Sequence, residues 1–90
     1  MTVKTFKDLE SVAIPSSSDV LDLISDYAVN GMEIQSKTVI GLINRVNLTK
    51  EDLDKTRLYL QVGNFYWTKY GNSKAAREYQ EVLENLNSLS

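Results

Sequence analysis

Three aspartates in the first third of the chain have the spacing that could support metal or acid–base chemistry. Asp19, Asp22 and Asp26 follow one another at steps of three and four residues, which places them on one face of a helix. Carboxylate oxygens in such a group could bind a divalent cation. The same pattern is typical of the solvated face of an amphipathic helix, and no histidine or cysteine accompanies it. We therefore predict no metal site here.

The residue types of the chain exclude most catalytic arrangements. Cysteine and histidine are both absent, so the chain has no thiolate nucleophile, no disulfide, and lacks the commonest general base and zinc ligand. The glycines stand singly at positions 31, 41, 63 and 71, so no glycine-rich loop can bind phosphate. We expect a protein that is not an enzyme, with no catalytic residues and no cofactor.

Length and hydropathy indicate a small globular domain. The chain has 90 residues, of which 42% are apolar and 24% charged, close to the averages for globular proteins. Its longest apolar runs fall far short of the roughly 20 residues needed to cross a bilayer. The first twelve residues contain lysines but no apolar segment, so we expect no signal peptide, no membrane contact and a cytoplasmic location.

Four segments with helical periodicity must position any functional site. Thr49 and Asp52 have the spacing of a capping box, and Gly31 and Gly71 follow apolar periodic segments as helix stops. Before Pro15, a shorter segment could form a brief helix starting at Thr5. The predicted helical segments cover residues 18–30, 32–47, 49–70 and 73–88.

These segments predict an all-α fold, namely a small antiparallel bundle of four main helices with a short N-terminal arm. Short turns between the helices favour antiparallel neighbours. We predict an arm at 1–15 and one helical domain at 16–90, in which a hairpin at 18–47 packs on a second hairpin at 49–88.

Aromatic residues are concentrated in the second hairpin. Six of the eight lie between positions 59 and 79, and basic residues are interleaved with them. Such a group can stack nucleic-acid bases, form a protein-binding hot spot, or simply fill a core. The six are Tyr59, Phe65, Tyr66, Trp67, Tyr70 and Tyr79, and the basic residues are Arg57, Lys69, Lys74 and Arg77.

Residues 56–89 resemble a single tetratricopeptide repeat, a helical hairpin of about 34 residues. The positions that match are Tyr59, Val62, Gly63, Tyr66, Ala75 and Tyr79. The resemblance implies that Tyr59, Val62, Gly63 and Tyr66 face the last helix, with Gly63 allowing close approach. A shift of 34 residues finds no second copy, so we expect one repeat-like hairpin and no array.

The predicted 49–70 helix has a second stripe of residues, apart from the stripe at 59–66 that faces the last helix. This second stripe is our candidate partner-binding site. In the resembled family, this stripe lines the binding surface. An arginine, an amide and a tryptophan on one line also have the composition of an interface hot spot. The predicted partner-binding residues are Arg57, Leu60, Asn64 and Trp67.

A second pattern resembles a DNA-binding helix-turn-helix. Ala28, Gly31, Val39 and Leu42 occupy the positions of its first helix, turn and second helix. Residues 1–35, however, carry two lysines against six carboxylates, a charge of −4 that would repel phosphate. The candidate base-reading residues would be Gln35, Ser36, Lys37, Thr38 and Arg45.

The sequence therefore favours a non-enzymatic protein–protein interaction module, such as a small adaptor, inhibitor or assembly factor. Its partner would be another protein or a second copy of the chain. The alternatives are a helix-turn-helix regulator that binds nucleic acid and a structural subunit of a larger assembly.

Overall fold

The fold is an all-α bundle, as the sequence predicts. The structure, a computed structural model, describes residues 5–89, and the regular structure in this range is helical throughout. Residues 1–4 of the predicted arm lie outside the described residues. The helices are α1 (Phe6–Glu10), α2 (Ser17–Val29), α3 (Ser36–Arg45), α4 (Lys50–Lys69) and α5 (Ser73–Leu89).

Local sequence signals account for most helix ends. The Asp52 backbone N–H donates to Thr49 Oγ1 at 3.1 Å, and the Thr49 N–H donates back to Asp52 Oδ2 at 3.2 Å, which confirms the predicted capping box. The turns after α2 and α4 contain Gly31 and Gly71 at φ 64° and 78°, a backbone conformation that glycine adopts without strain. These two predicted helix stops are also confirmed.

Helix α3 is shorter than the predicted 32–47 segment. Residues 32–35 form a connection instead of a first helical turn, since Gln35 has an extended backbone at φ −106° and ψ 113°. Ile34 in this connection is buried in the core. Gln35 provides no side-chain cap; instead, the Ser36 backbone N–H donates to Glu78 Oε2 of α5 at 3.0 Å. A residue of the other hairpin therefore satisfies one of the backbone donors at the start of α3.

The two hairpins stack on each other. Helix α4 packs against α5 within its hairpin and against α2 of the other, while α3 packs against α5. The core between the hairpins combines apolar side chains from all four long helices. Its fully buried members include Val20, Ile24, Val39, Leu42, Ile43, Leu60, Tyr79, Val82 and Leu86.

Helix α1 belongs to the same core, so the arm is not separate from the domain in its described part. Phe6 and Leu9 are buried, and the Phe6 ring lies 4.6 Å from the Tyr27 ring. Arg45 Nη2 at the end of α3 donates to two carbonyls after α1, those of Val12 and Ala13, each at 2.9 Å. Helix α1 thus lies across α2 and α3.

Candidate protein-binding surface

Helix α4 carries large apolar side chains on the side opposite the core. Leu58, Val62 and Phe65 are 60%, 43% and 69% exposed, although they lie in the middle of a long helix. At 100° per residue, they lie between about 140° and 200° around the helix axis from the fully buried Leu60. We call these three residues the outer face of α4.

The two ends of the outer face carry opposite charges. Asp54 lies one turn before Leu58, and Lys69 lies one turn after Phe65. The Asp54 side chain is 62% exposed and pairs with Arg57, whose Nη1 donates to Asp54 Oδ1 at 3.0 Å. The outer face is therefore apolar in the middle, acidic toward the start of α4 and basic toward its end.

Two of the four predicted partner-binding residues, Arg57 and Asn64, lie where α4 meets α5, and a third, Leu60, lies in the core. Leu60 is fully buried, so the prediction that it contacts a partner is wrong: its side chain fills the core. Arg57 Nε donates to Asn87 Oδ1 at 3.2 Å, and Asn64 Nδ2 donates to the Ala76 carbonyl at 2.8 Å. The polar groups of Arg57 and Asn64 thus hold the α4–α5 hairpin together.

The fourth predicted residue, Trp67, links α4 to the other hairpin. Its ring is half-buried against the core, and Nε1 donates to the Met32 carbonyl at 3.4 Å, a long hydrogen bond. The neighbouring Tyr66 ring meets it edge-on, with centroids 5.1 Å apart. The predicted stripe therefore does not form one open surface.

The contacts of the 59–66 stripe differ from those the repeat resemblance implies. Gly63 faces α5 as expected: a Cβ added there would lie 2.5 Å from Cδ1 and Cζ of Tyr79. Val62, by contrast, belongs to the outer face. Tyr66 lies against Gly31, where an added Cβ would be 2.5 Å from Tyr66 Cζ, so it contacts the α2–α3 turn. Val62 is therefore more exposed than the resemblance implies, and the turn after α2 covers the side of α4 that carries Tyr66.

The outer face is not among the predicted sites, although its signal is in the sequence. Leu58, Val62 and Phe65 follow at steps of four and three, the spacing of a single helix face. The repeat resemblance, by contrast, implies that Val62 contacts the last helix. Helix α4 thus has one apolar face more than its neighbours α2 and α5 cover.

Two of the candidate base-reading residues have other roles in the fold. Ser36 is buried, and its Oγ lies within hydrogen-bond distance of carboxylates of both Glu78 (3.3 Å) and Glu81 (2.8 Å). The Arg45 guanidinium bonds the carbonyls that follow α1. The start of α3 is thus bordered by acidic groups, which would repel a nucleic-acid phosphate.

The remaining polar features of residues 5–89 are scattered carboxylates, a buried phenol and a cleft beside α1. The chain has no histidine or cysteine, so only its carboxylates were candidates for metal ligands. Within residues 5–89, no three of them lie close enough together to hold a metal ion. The Tyr79 hydroxyl donates to the Met32 carbonyl at 2.7 Å, and burial, with a smaller effect of Tyr27, raises the pKa of this phenol well above its usual value. A cleft of about 440 Å³ lies between α1 and the α2–α3 connection, beside the rings of Phe6 and Tyr27.

No helix within residues 5–89 is both long enough and apolar enough to span a membrane. No family model, no curated protein and no solved structure matches this chain. The resemblance to a tetratricopeptide repeat therefore stays a prediction from the sequence.

Proposed function

We propose that this chain is a non-enzymatic protein–protein interaction module that binds its partner through the outer face of α4. It would act in the cytoplasm as a small adaptor, inhibitor or assembly factor. The observation that carries the proposal is the exposure of Leu58, Val62 and Phe65, side by side on one helix. Scattered apolar residues are normal on a protein surface, but a contiguous apolar patch is typical of an interaction site.

The surroundings of the outer face favour binding. Helix α4 has 20 residues and is held by α5 on one side and α2 on the other, so the three side chains project from a fixed backbone. A surface that is ordered before binding loses less conformational entropy when a partner docks. Phe65 is the most exposed of the three, and a large aromatic ring at the centre of an interface is a common anchor.

Affinity capture with matched variants tests this proposal. The tagged chain, Phe65→Asp and Ile14→Asp would each be incubated with an extract of the source cells, and bound proteins identified by mass spectrometry. Ile14 is 87% exposed and lies outside α4, so its variant also replaces a large exposed apolar side chain with a carboxylate, but away from the outer face. We expect at least one bound protein to be lost with Phe65→Asp and retained with Ile14→Asp.

A purified partner then provides the quantitative test. Binding of the captured protein, measured by calorimetry, should weaken at least tenfold with Phe65→Asp, since hot-spot residues contribute about 2 kcal/mol or more. Equal binding by the parent and Phe65→Asp for every captured protein, with no self-association that depends on Phe65, would refute the proposed function.

A further inference from the structure

We infer that the outer face of α4 binds the same face of a second copy of the chain, with the two α4 helices antiparallel about a twofold axis. This inference rests on the proposed function, because it names the partner of that surface. The observation behind it is the order of apolar and charged side chains along α4. Two copies of this order match each other when the helices run antiparallel, but not when they run parallel.

The apolar residues match when the helix is reversed. Leu58 and Phe65 lie equally far from a point between Gln61 and Val62, at about 5 Å along the axis on either side. A twofold axis through that point places each Leu58 opposite Phe65 of the second copy. The two Val62 side chains then lie near the axis, so all three exposed apolar residues of both copies come together in one contact.

The charges match about the same point. Asp54 and Lys69 lie about 11 Å along the axis on either side of it. Antiparallel pairing therefore places each Asp54 opposite Lys69 of the second copy, which makes two ion pairs, whereas parallel pairing would place Asp54 against Asp54. Asp54 already bonds Arg57 through Oδ1, but its side chain remains 62% exposed and can accept a further hydrogen bond.

One like-charge contact accompanies this pairing and is offset within each chain. Lys55 comes within about 1.5 Å along the axis of Lys69 of the second copy, but Lys55 Nζ already pairs with Glu51 Oε1 at 3.5 Å. The net charge of the chain is −2, so long-range repulsion between copies is weak. Isologous contact of one patch with itself is also the commonest way in which protein chains form oligomers.

The small size of the patch predicts a weak dimer. Three apolar side chains on one helix fall short of the roughly 800 Å² that each partner buries in a standard interface. We therefore expect dissociation in the micromolar range, near 100 µM within about a factor of ten. Higher ionic strength should weaken the dimer further, because the flanking ion pairs are exposed.

Sedimentation equilibrium of the purified full-length chain tests the inference. Between about 5 and 500 µM, the weight-average mass should rise from near the monomer value of 10.2 kDa toward twice that value. Phe65→Asp should stay monomeric throughout, whereas Ile14→Asp should associate like the parent. Circular dichroism melts of each variant verify that the monomer fold is intact, as expected for changes to exposed side chains.

Charge exchange tests the antiparallel orientation. Asp54→Lys alone and Lys69→Asp alone each place like charges opposite one another, and each should weaken the dimer by about tenfold. The double variant Asp54→Lys with Lys69→Asp restores opposite charges and should restore most of the affinity. Dimerisation that the single exchanges do not weaken, or that the double exchange does not rescue, would refute the antiparallel arrangement.

The two proposals fail in different ways. A chain that stays monomeric at 500 µM, or a dimer unaffected by Phe65→Asp, overturns the second-copy inference. If another protein is nevertheless captured through Phe65, the proposed function stands with a different partner. If no binding of any kind depends on Phe65, both are wrong.

Discussion

Adding one methyl group at Gly63 should cost stability, although the same change at Gly41 should increase it. A Cβ at Gly63 would lie 2.5 Å from ring carbons of Tyr79, far inside the 3.5–4.0 Å optimum for two carbons. The ring has little room to retreat, since Tyr79 is fully buried and its hydroxyl is bonded to the Met32 carbonyl. At Gly41, an added Cβ would meet no neighbouring element of the described chain within 4 Å.

Both variants gain the higher helix propensity of alanine, but only Gly63→Ala overpacks the contact with Tyr79. Alanine is better than glycine inside a helix by about 1 kcal/mol, and both positions are helical. Overpacking at Gly63 costs about 1–3 kcal/mol, so Gly63→Ala should change the free energy of unfolding by about 0 to −2 kcal/mol. Gly41→Ala should raise it by about 1 kcal/mol. The melting temperatures should therefore differ by at least about 4 °C in a domain of this size.

Thermal melts followed by far-UV circular dichroism, with urea titrations for the free energies, measure this difference. A Tyr79→Leu background provides the control: with the ring gone, Gly63→Ala should cost less than it does in the parent, which is a coupling between the two positions. If Gly63→Ala stabilises the chain as much as Gly41→Ala, the close packing of α4 on α5 at this point is wrong.

Two further predictions concern buried polar groups. Stability should fall as the pH rises above about 10, because the phenol of Tyr79 ionises in the unfolded chain at its usual pKa but, with its pKa raised, stays neutral when folded. Denaturant titrations from pH 8 to 11 should show a smaller decline for Tyr79→Phe than for the parent, and equal declines would contradict the cause given. Asn85 Nδ2 is buried without a hydrogen-bond partner among the described residues, so Asn85→Leu should stabilise the chain by about 1–3 kcal/mol. A lower melting temperature for Asn85→Leu would show that the amide contributes a contact that the leucine cannot replace.

The parts of the fold that could be predicted from the sequence are those determined by nearby residues. The capping box at Thr49 depends on Asp52, three residues away, and the turn at Gly71 depends on the conformation of that residue alone. The start of α3 could not be predicted in this way, because the carboxylate that caps it belongs to Glu78, 42 residues further along the chain.

The candidate site shows the same limit. The spacing of Leu58, Val62 and Phe65 is visible in the sequence, as is that of Leu60 and its neighbours on the other side of α4. Periodicity alone does not distinguish an apolar stripe that faces the core from one that faces solvent, since both repeat every three to four residues. The choice depends on where α2 and α5 pack, which no local pattern records.

The cap that α5 provides for α3 makes the first hairpin dependent on the second. Helix α3 has a β-branched run, Thr38 to Ile40, an internal Gly41 and no cap of its own, so its first turn relies on Glu78. A fragment covering 17–46 alone would lose that partner, and its α3 segment should show little helix by circular dichroism. Unlike the interchangeable units of a repeat array, the two hairpins of this chain differ in role, because the second supplies a cap that the first lacks.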